Sequence, residues 1–191
     1  TYFGHEEWRT FAPPMKILEH AQEIRRRLLM AMEQAEQTPD PAARKFLQTV
    51  VIVGGGPTGC EMAGATSELM RNAMRREFKQ LNPDDSRIIV IDPGDRLLRA
   101  MPESLSASAQ KTLESLGVET LFKGRVQSMQ PGEVTVGTPD GEQTIQAATV
   151  IWTAGVRPSH LGKTLAASID CELDRGGRVI VEADFSVKDH P

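Results

Sequence analysis

Along this chain the apolar positions follow two alternating rhythms: short unbroken runs, and longer stretches repeating every three or four residues. Residues 50–53 read VVIV and residues 87–92 read RIIVID, runs of β-branched side chains that fit strands buried on both faces of a parallel sheet. Residues 118–122 (VETLF) and 148–152 (ATVIW) read as further strands of that sheet. The helical rhythm fills the gaps. Over residues 15–36, Ile17, Ala21, Ile24, Leu28, Met32 and Ala35 form one apolar stripe, which ends at a linker, Thr38-Pro39-Asp40-Pro41. From Pro57 to about residue 80, Met62, Ala65, Leu69 and Ala73 recur at helical spacing until Asn82-Pro83-Asp84-Asp85 stops them. Residues 103–116 repeat the pattern through Leu105, Ala109, Leu113 and Leu116, with Gly117 closing the helix. Between residues 123 and 147 the character changes. Segments 125–129, 133–136 and 143–145 alternate with turns at Pro131-Gly132 and Pro139-Asp140-Gly141, which predicts an antiparallel meander. Past Gly155, residues 156–165 read as loop and 178–183 as a strand, with no closing element over residues 188–191. The fold class is therefore α/β: a parallel sheet with flanking helices and an antiparallel β-meander.

The turn after the first strand carries the candidate chemistry. Gly54, Gly56 and Gly59 stand in the GxGxxG spacing, and small Ala63 follows where helix and strand must touch closely. Gly54 permits the tight turn, Gly56 has no side chain to hold a ligand off the backbone, and Gly59 lets the helix pack on the strand. Pro57 suits a first helical turn, where its missing N–H costs nothing. The helix start then offers unpaired N–H groups and a positive dipole end to a pyrophosphate. Strand, glycine turn and helix in that order predict a Rossmann-like dinucleotide-binding unit. Its candidate cofactor-binding residues are Gly54, Gly55, Gly56, Pro57, Thr58, Gly59 and Glu61, with Ala154 and Gly155 where residues 148–152 end. Asp92 closes the second strand, where an acid accepts hydrogen bonds from the adenosine ribose. It follows Gly59 by 33 positions, longer than the usual ~20, an excess explained by the long helix and its loop. Asp92 also precedes Pro93-Gly94, so a turn-forming role stands beside the ribose role. An acid there disfavours a 2′-phosphate, which points to NADH, although Arg96 and Arg99 lie within reach.

Composition narrows the remaining classes. With 39% hydrophobic and 25% charged residues, the 191-residue chain has the make-up of an ordinary globular protein. A net charge of −4 argues against nucleic acid as the main partner. The Arg25–27 and Arg71, Arg75, Arg76, Lys79 clusters read as solvated helix faces. Cys60 and Cys171 are the only cysteines and form no CxxC pair, so no redox dithiol or cysteine metal site is expected; Cys60 reads as a small buried residue. Four scattered histidines give no metal spacing. No apolar run approaches the ~20 residues of a membrane span, and no signal peptide opens the chain, which makes the cytoplasmic side the expectation. The first eleven residues hold Tyr2, Phe3, Trp8 and Phe11, a cluster that wants a surface to bury against.

Taken together, these stretches resemble the type II NADH dehydrogenases, single-chain flavoenzymes that pass electrons from NADH through FAD to a quinone. The resemblance runs from TYFG and KILEHAQEIRRRL through VIVGGGPTGCEMAGA, PESLS, LGVE and TVIWTAGV to GRVIVEADFSVKDHP. It implies an NADH-binding domain over residues 46–155, with residues 1–45 leading in from an FAD domain and 156–191 returning to it. In the family the flavin motifs, the quinone site and the membrane-binding segments lie outside the region matched here. The intact protein is thus expected to take NADH and FAD, to meet a quinone, and to sit peripherally on a membrane. Two departures stand out: Asp92 where glutamate is usual, and Cys60 where valine is usual. Glu61 matches a family glutamate at the nicotinamide end, which makes it the candidate catalytic residue; support of the helix dipole is its other reading. Two further readings remain open: the NAD(P)H domain of a disulfide or ferredoxin reductase, and a non-redox dinucleotide-sensing domain.

Overall fold

A computed structural model of the chain describes residues 1–188 and 190. Two compact units divide it, residues 2–154 and residues 155–191 together with Thr1. In the larger unit four strands form a parallel sheet: β1 (Thr49–Val53), β2 (Arg87–Asp92), β3 (Val118–Phe122) and, last in the chain, β7 (Thr149–Trp152). Their order is β3-β2-β1-β7, with Val50 opposite Ile88 on one side and Thr149 on the other. Between β3 and β7 runs the meander of β4 (Arg125–Gln130), β5 (Glu133–Thr138) and β6 (Gly141–Gln146).

The continuous apolar runs are explained by what lies on each face. Val50, Ile52, Ile88, Val90 and Ile151 point to one side, against helices α1 (Leu18–Gln37), α3 (Pro57–Glu77) and α4 (Glu103–Ser115). Val51, Val53, Ile89, Ile91 and Trp152 point to the other, against Met129, Val134, Val136 and Ile145 of the meander. All five β1 residues are buried, and burying each valine or isoleucine contributes about 1.5–3 kcal/mol. The aromatic cluster finds its surface on the meander side: the Tyr2 ring lies tilted against Trp152 at 4.8 Å, Trp8 lies 5.7 Å from it, and the Tyr2 hydroxyl donates to the Ala12 carbonyl at 2.6 Å. Ile24, Leu28, Met32 and Ala35 of α1 share one core with β1 and β2.

Several expectations are corrected. The stop and linker at residues 38–41 follows α1, which ends at Gln37, but its last residue also opens an unexpected helix, α2 (Pro41–Leu47), with Asp40 as N-cap accepting from the Ala42 and Ala43 amides and Pro41 at its first position. In α3, Met62, Leu69 and Ala73 of the expected stripe are half-buried against the core and Ala65 is exposed, while the fully buried row lies one residue round, at Gly59, Ala63, Thr66, Ser67, Met70 and Met74. Small residues allow the helix close to the sheet, and the buried Ser67 hydroxyl is satisfied by the Leu116 carbonyl at 2.7 Å. Ile17 and Leu105 are half-exposed because α1 begins after the first, and in α4 Ser106, not Leu105, turns inward to the Leu97 carbonyl. Nor do all the arginines only face water: Arg27 donates to the Thr10 and Phe11 carbonyls.

In the smaller unit the expected loop over residues 156–165 contains the start of α5 (Leu161–Ile169). The strand expected over residues 178–183 is absent. A turn held by Asp174, whose carboxylate accepts from the Gly176 and Arg178 amides, pairs Leu173 with Val179 in a single antiparallel bridge. Of residues 188–191, where no closing element is expected, Asp189 and Pro191 lie outside the described residues.

Candidate functional site

β1 lies between β2 and β7, and the chain leaves it toward β2 on one side while β7 closes the other, so the carboxyl end of β1 is the switch point of the sheet. The glycine turn sits there. Gly54 has φ +111°, its amide donates to the Ile91 carbonyl at 2.8 Å, and a Cβ on it would press on Thr153 and the Ala154 backbone. A Cβ on Gly59 would collide with the Gly54 carbonyl oxygen and lie 2.9 Å from the Gly54 carbonyl carbon. The third glycine is therefore a packing necessity. Gly56 is the opposite case: it is exposed, and a Cβ there meets nothing within 4 Å. No neighbour in the fold demands glycine at position 56.

Gly56 is also the N-cap of α3, and no side chain caps that helix. Exposed Pro57 and half-buried Thr58 follow on the first turn. The first N–H groups of a 21-residue helix thus face an open edge, the arrangement that receives a phosphate. From β7, the Thr153 hydroxyl donates to the Val53 carbonyl at 2.8 Å and reaches the Gly54 carbonyl at 3.1 Å, tying the turn to the strand. Sequence reasoning passed over Thr153; its place one residue after a buried strand, opposite the glycine turn, was the available signal. Ala154 follows it, half-buried; Gly155 opens the smaller unit with φ +72°.

Asp92 ends β2 beside this turn, and both readings of it have a structural counterpart. Its Oδ1 accepts from the Gly94 amide at 2.7 Å, as a turn-forming aspartate does, while its Oδ2 accepts from the Gly55 amide at 2.6 Å. Each oxygen keeps a second lone pair for a ribose hydroxyl. Of the two nearby arginines, Arg96 is engaged with the Met101 and Arg99 carbonyls. Arg99 lies across Gly94, its Nε 3.1 Å from where a Cβ would stand, and is largely exposed.

Glu61 is exposed on the second turn of α3. Cys60 is half-buried, with Sγ 3.7 Å from the Gly55 carbonyl. Burial pushes its thiol pKa up, and the charges of Asp92 and Glu61 push the same way, which disfavours the thiolate. No cluster of three metal-ligating side chains occurs among the described residues.

The family model of the pyridine nucleotide-disulphide oxidoreductases matches residues 9–191. The chain belongs to that family. Within it, the chain is 42% identical over its whole length to the type II NADH:quinone oxidoreductase NdhA of Mycobacterium tuberculosis (strain ATCC 25618 / H37Rv), and 39% identical to that organism's type II NADH:quinone oxidoreductase Ndh. It covers 41% and 42% of those two proteins, so it spans about two fifths of the length of the curated relatives it matches. Among solved structures, NDH2 from Plasmodium falciparum in complex with NADH superposes with a TM-score of 0.78 at 20% identity, over 87% of this chain and 35% of that one. That likeness establishes the fold of this family member.

Proposed function

We propose that this chain is the NADH-binding part of a flavin-dependent NADH dehydrogenase of type II, which hands electrons from NADH through FAD to a quinone. The single observation that carries the reading is the contrast at the glycine turn: Gly54 and Gly59 are required by the fold, whereas Gly56 is not and stands before the uncapped helix start. The full-length identity to two type II NADH:quinone oxidoreductases supports the rest.

The residues fit the cofactor. The Gly56 backbone, without a Cβ, and the first N–H groups of α3, at Thr58 and Gly59, would hold the pyrophosphate, with Gly54, Gly55 and Pro57 setting the turn. Asp92 would accept the adenosine ribose hydroxyls, which favours NADH over NADPH. Ala154 and Gly155 would meet the nicotinamide half, with Glu61 as the candidate polar residue on that side; a carboxylate facing the pyrophosphate would be repelled. NADH supplies a hydride, and the chain's own part is to bind and orient it. Residues 1–45 and 156–191 are the stretches by which the chain leaves and rejoins an FAD domain of the same polypeptide, with residues 46–155 as the NADH domain between them. No helix among the described residues is long and apolar enough to cross a membrane. As the likeness to type II NADH dehydrogenases suggests, the intact protein would sit peripherally on a membrane, on its cytoplasmic face.

The intact protein, purified and free of added cofactor, is expected to show flavin absorbance and to reduce a soluble quinone with NADH. Flavin-free protein that binds NADH would instead favour a dinucleotide-sensing domain, and reduction of a disulfide or a ferredoxin in place of quinone would favour the other reductases.

A further inference from the structure

We propose that Asp92 is a positioning residue for the pyrophosphate loop, so that the ribose and pyrophosphate subsites form one coupled unit. The proposal rests on the dinucleotide reading above and goes beyond it. Three bonds strap the glycine turn to the end of β2 and the loop that follows it: Gly54 amide to Ile91 carbonyl at 2.8 Å, Gly55 amide to Asp92 Oδ2 at 2.6 Å, and, from the loop, Leu98 amide to Gly55 carbonyl at 2.9 Å. Only the second uses a side chain. The other carboxylate oxygen holds the Gly94 amide, and that segment is clamped in turn, with Lys123 amide donating to the Gly94 carbonyl and Gly124 amide to the Asp92 carbonyl. Gly55 is buried, and a Cβ on it would stand 3.1 Å from Asp92 Cβ and Oδ2 and 2.9 Å from Leu97. Without the carboxylate, a buried N–H next to the ligand-facing Gly56 loses its acceptor. A hydroxyl donated to the free lone pairs of Asp92 therefore bears on the same group that fixes the loop. Ribose binding and loop order reinforce one another.

The test separates this role from a ribose contact alone by using measurements in which no ribose takes part. In ligand-free protein, Asp92→Ala is expected to speed hydrogen exchange at the Gly55 amide by roughly tenfold or more, while Val51 and Ile52 keep their rates. Inorganic pyrophosphate, which has no ribose, is expected to bind that variant more weakly than the parent, although a negative charge has been removed. Asp92→Asn keeps the shape and one acceptor oxygen, and its Gly55 exchange is expected between the two; it carries the comparison if the alanine variant does not fold. Unchanged Gly55 exchange in the variant that folds, or pyrophosphate bound as tightly as by the parent, overturns the coupling. A separate control, Gly56→Ala, addresses the dinucleotide reading itself: if NADH affinity ignores Gly56, that reading falls whatever Gly55 does.

Discussion

Placing a methyl group on each of two glycines three positions apart, Gly56 and Gly59, should have opposite consequences, and the structure supplies the reason for each. At Gly59 the added Cβ would overlap the Gly54 carbonyl oxygen and lie 3.0 Å from Thr153 Oγ1. The first obstacle is backbone, so relief requires lifting the start of α3 from β1. Overpacking of this kind costs about 1–3 kcal/mol and at times more. In a chain of this length each kcal/mol lowers Tm by about 2–4 °C, which puts Gly59→Ala roughly 2–12 °C below the parent. At Gly56 the backbone is extended, with φ −76° and ψ −175°, and the space is open. Its only cost to the fold is a poorer N-cap, about 1 kcal/mol at most. The same methyl group would occupy the ground where a pyrophosphate approaches, so NADH affinity should fall at least tenfold, about 1.4 kcal/mol. Calorimetric melting and a fluorescence titration with NADH read the two effects separately. Should Gly56→Ala bind NADH like the parent, or melt as low as Gly59→Ala, the glycines serve the fold alone.

Three further outcomes follow from named groups. NADH is expected to bind more tightly than NADPH, Asp92→Ala to shrink that preference, and Arg99→Ala to weaken NADPH more than NADH, since Arg99 lies beside Gly94, largely exposed and only loosely paired with Asp95 at 3.8 Å; equal NADH and NADPH titrations of the parent would refute the ribose assignment. Cys60 should react with iodoacetamide at pH 8 far more slowly in the folded protein than after denaturation, because burial holds its thiol pKa up; equal rates would show that the sulfur is not shielded. Burial also pushes the Tyr2 phenol up to about 12 from 10. The folded state favours the neutral phenol, so its stabilisation is whole below pH 10 and lost as pH rises through about 12. Melting temperature should therefore fall over that window in the parent and fall less in Tyr2→Phe.

The sheet was legible in the chain because β1, β2 and β7 are buried on both faces, and such runs announce themselves in VVIV, RIIVID and ATVIW without any help from partners. Residues 87–92 were read to the residue. Helix existence was legible too, but helix facing was not: in α3 the inward row is built from Gly59, Ala63, Thr66 and Ser67, small or polar residues that a hydrophobic pattern passes over. α2 was overlooked since its seven residues span too few turns to show a period, although Asp40-Pro41 is a helix-start signal. The strand expected over residues 178–183 failed because β-branched residues were weighed without the turn at Asp174 to Gly177 that sets their pairing. At the site, the spacing of the glycines pointed to the loop, while the bond from Gly55 to Asp92, 37 positions away, exists only in the folded chain.

The central claim, that the glycine turn at the carboxyl end of β1 receives NADH, is tested most directly by following backbone amide resonances while NADH is titrated onto isotope-labelled protein. The account predicts saturable shifts at Gly54, Gly55, Gly56, Thr58 and Gly59, with further shifts at Asp92 and Gly94, all fitting one dissociation constant. Shifts confined to the β5–β6 hairpin or to α4, with the glycine amides unmoved at saturation, would contradict it.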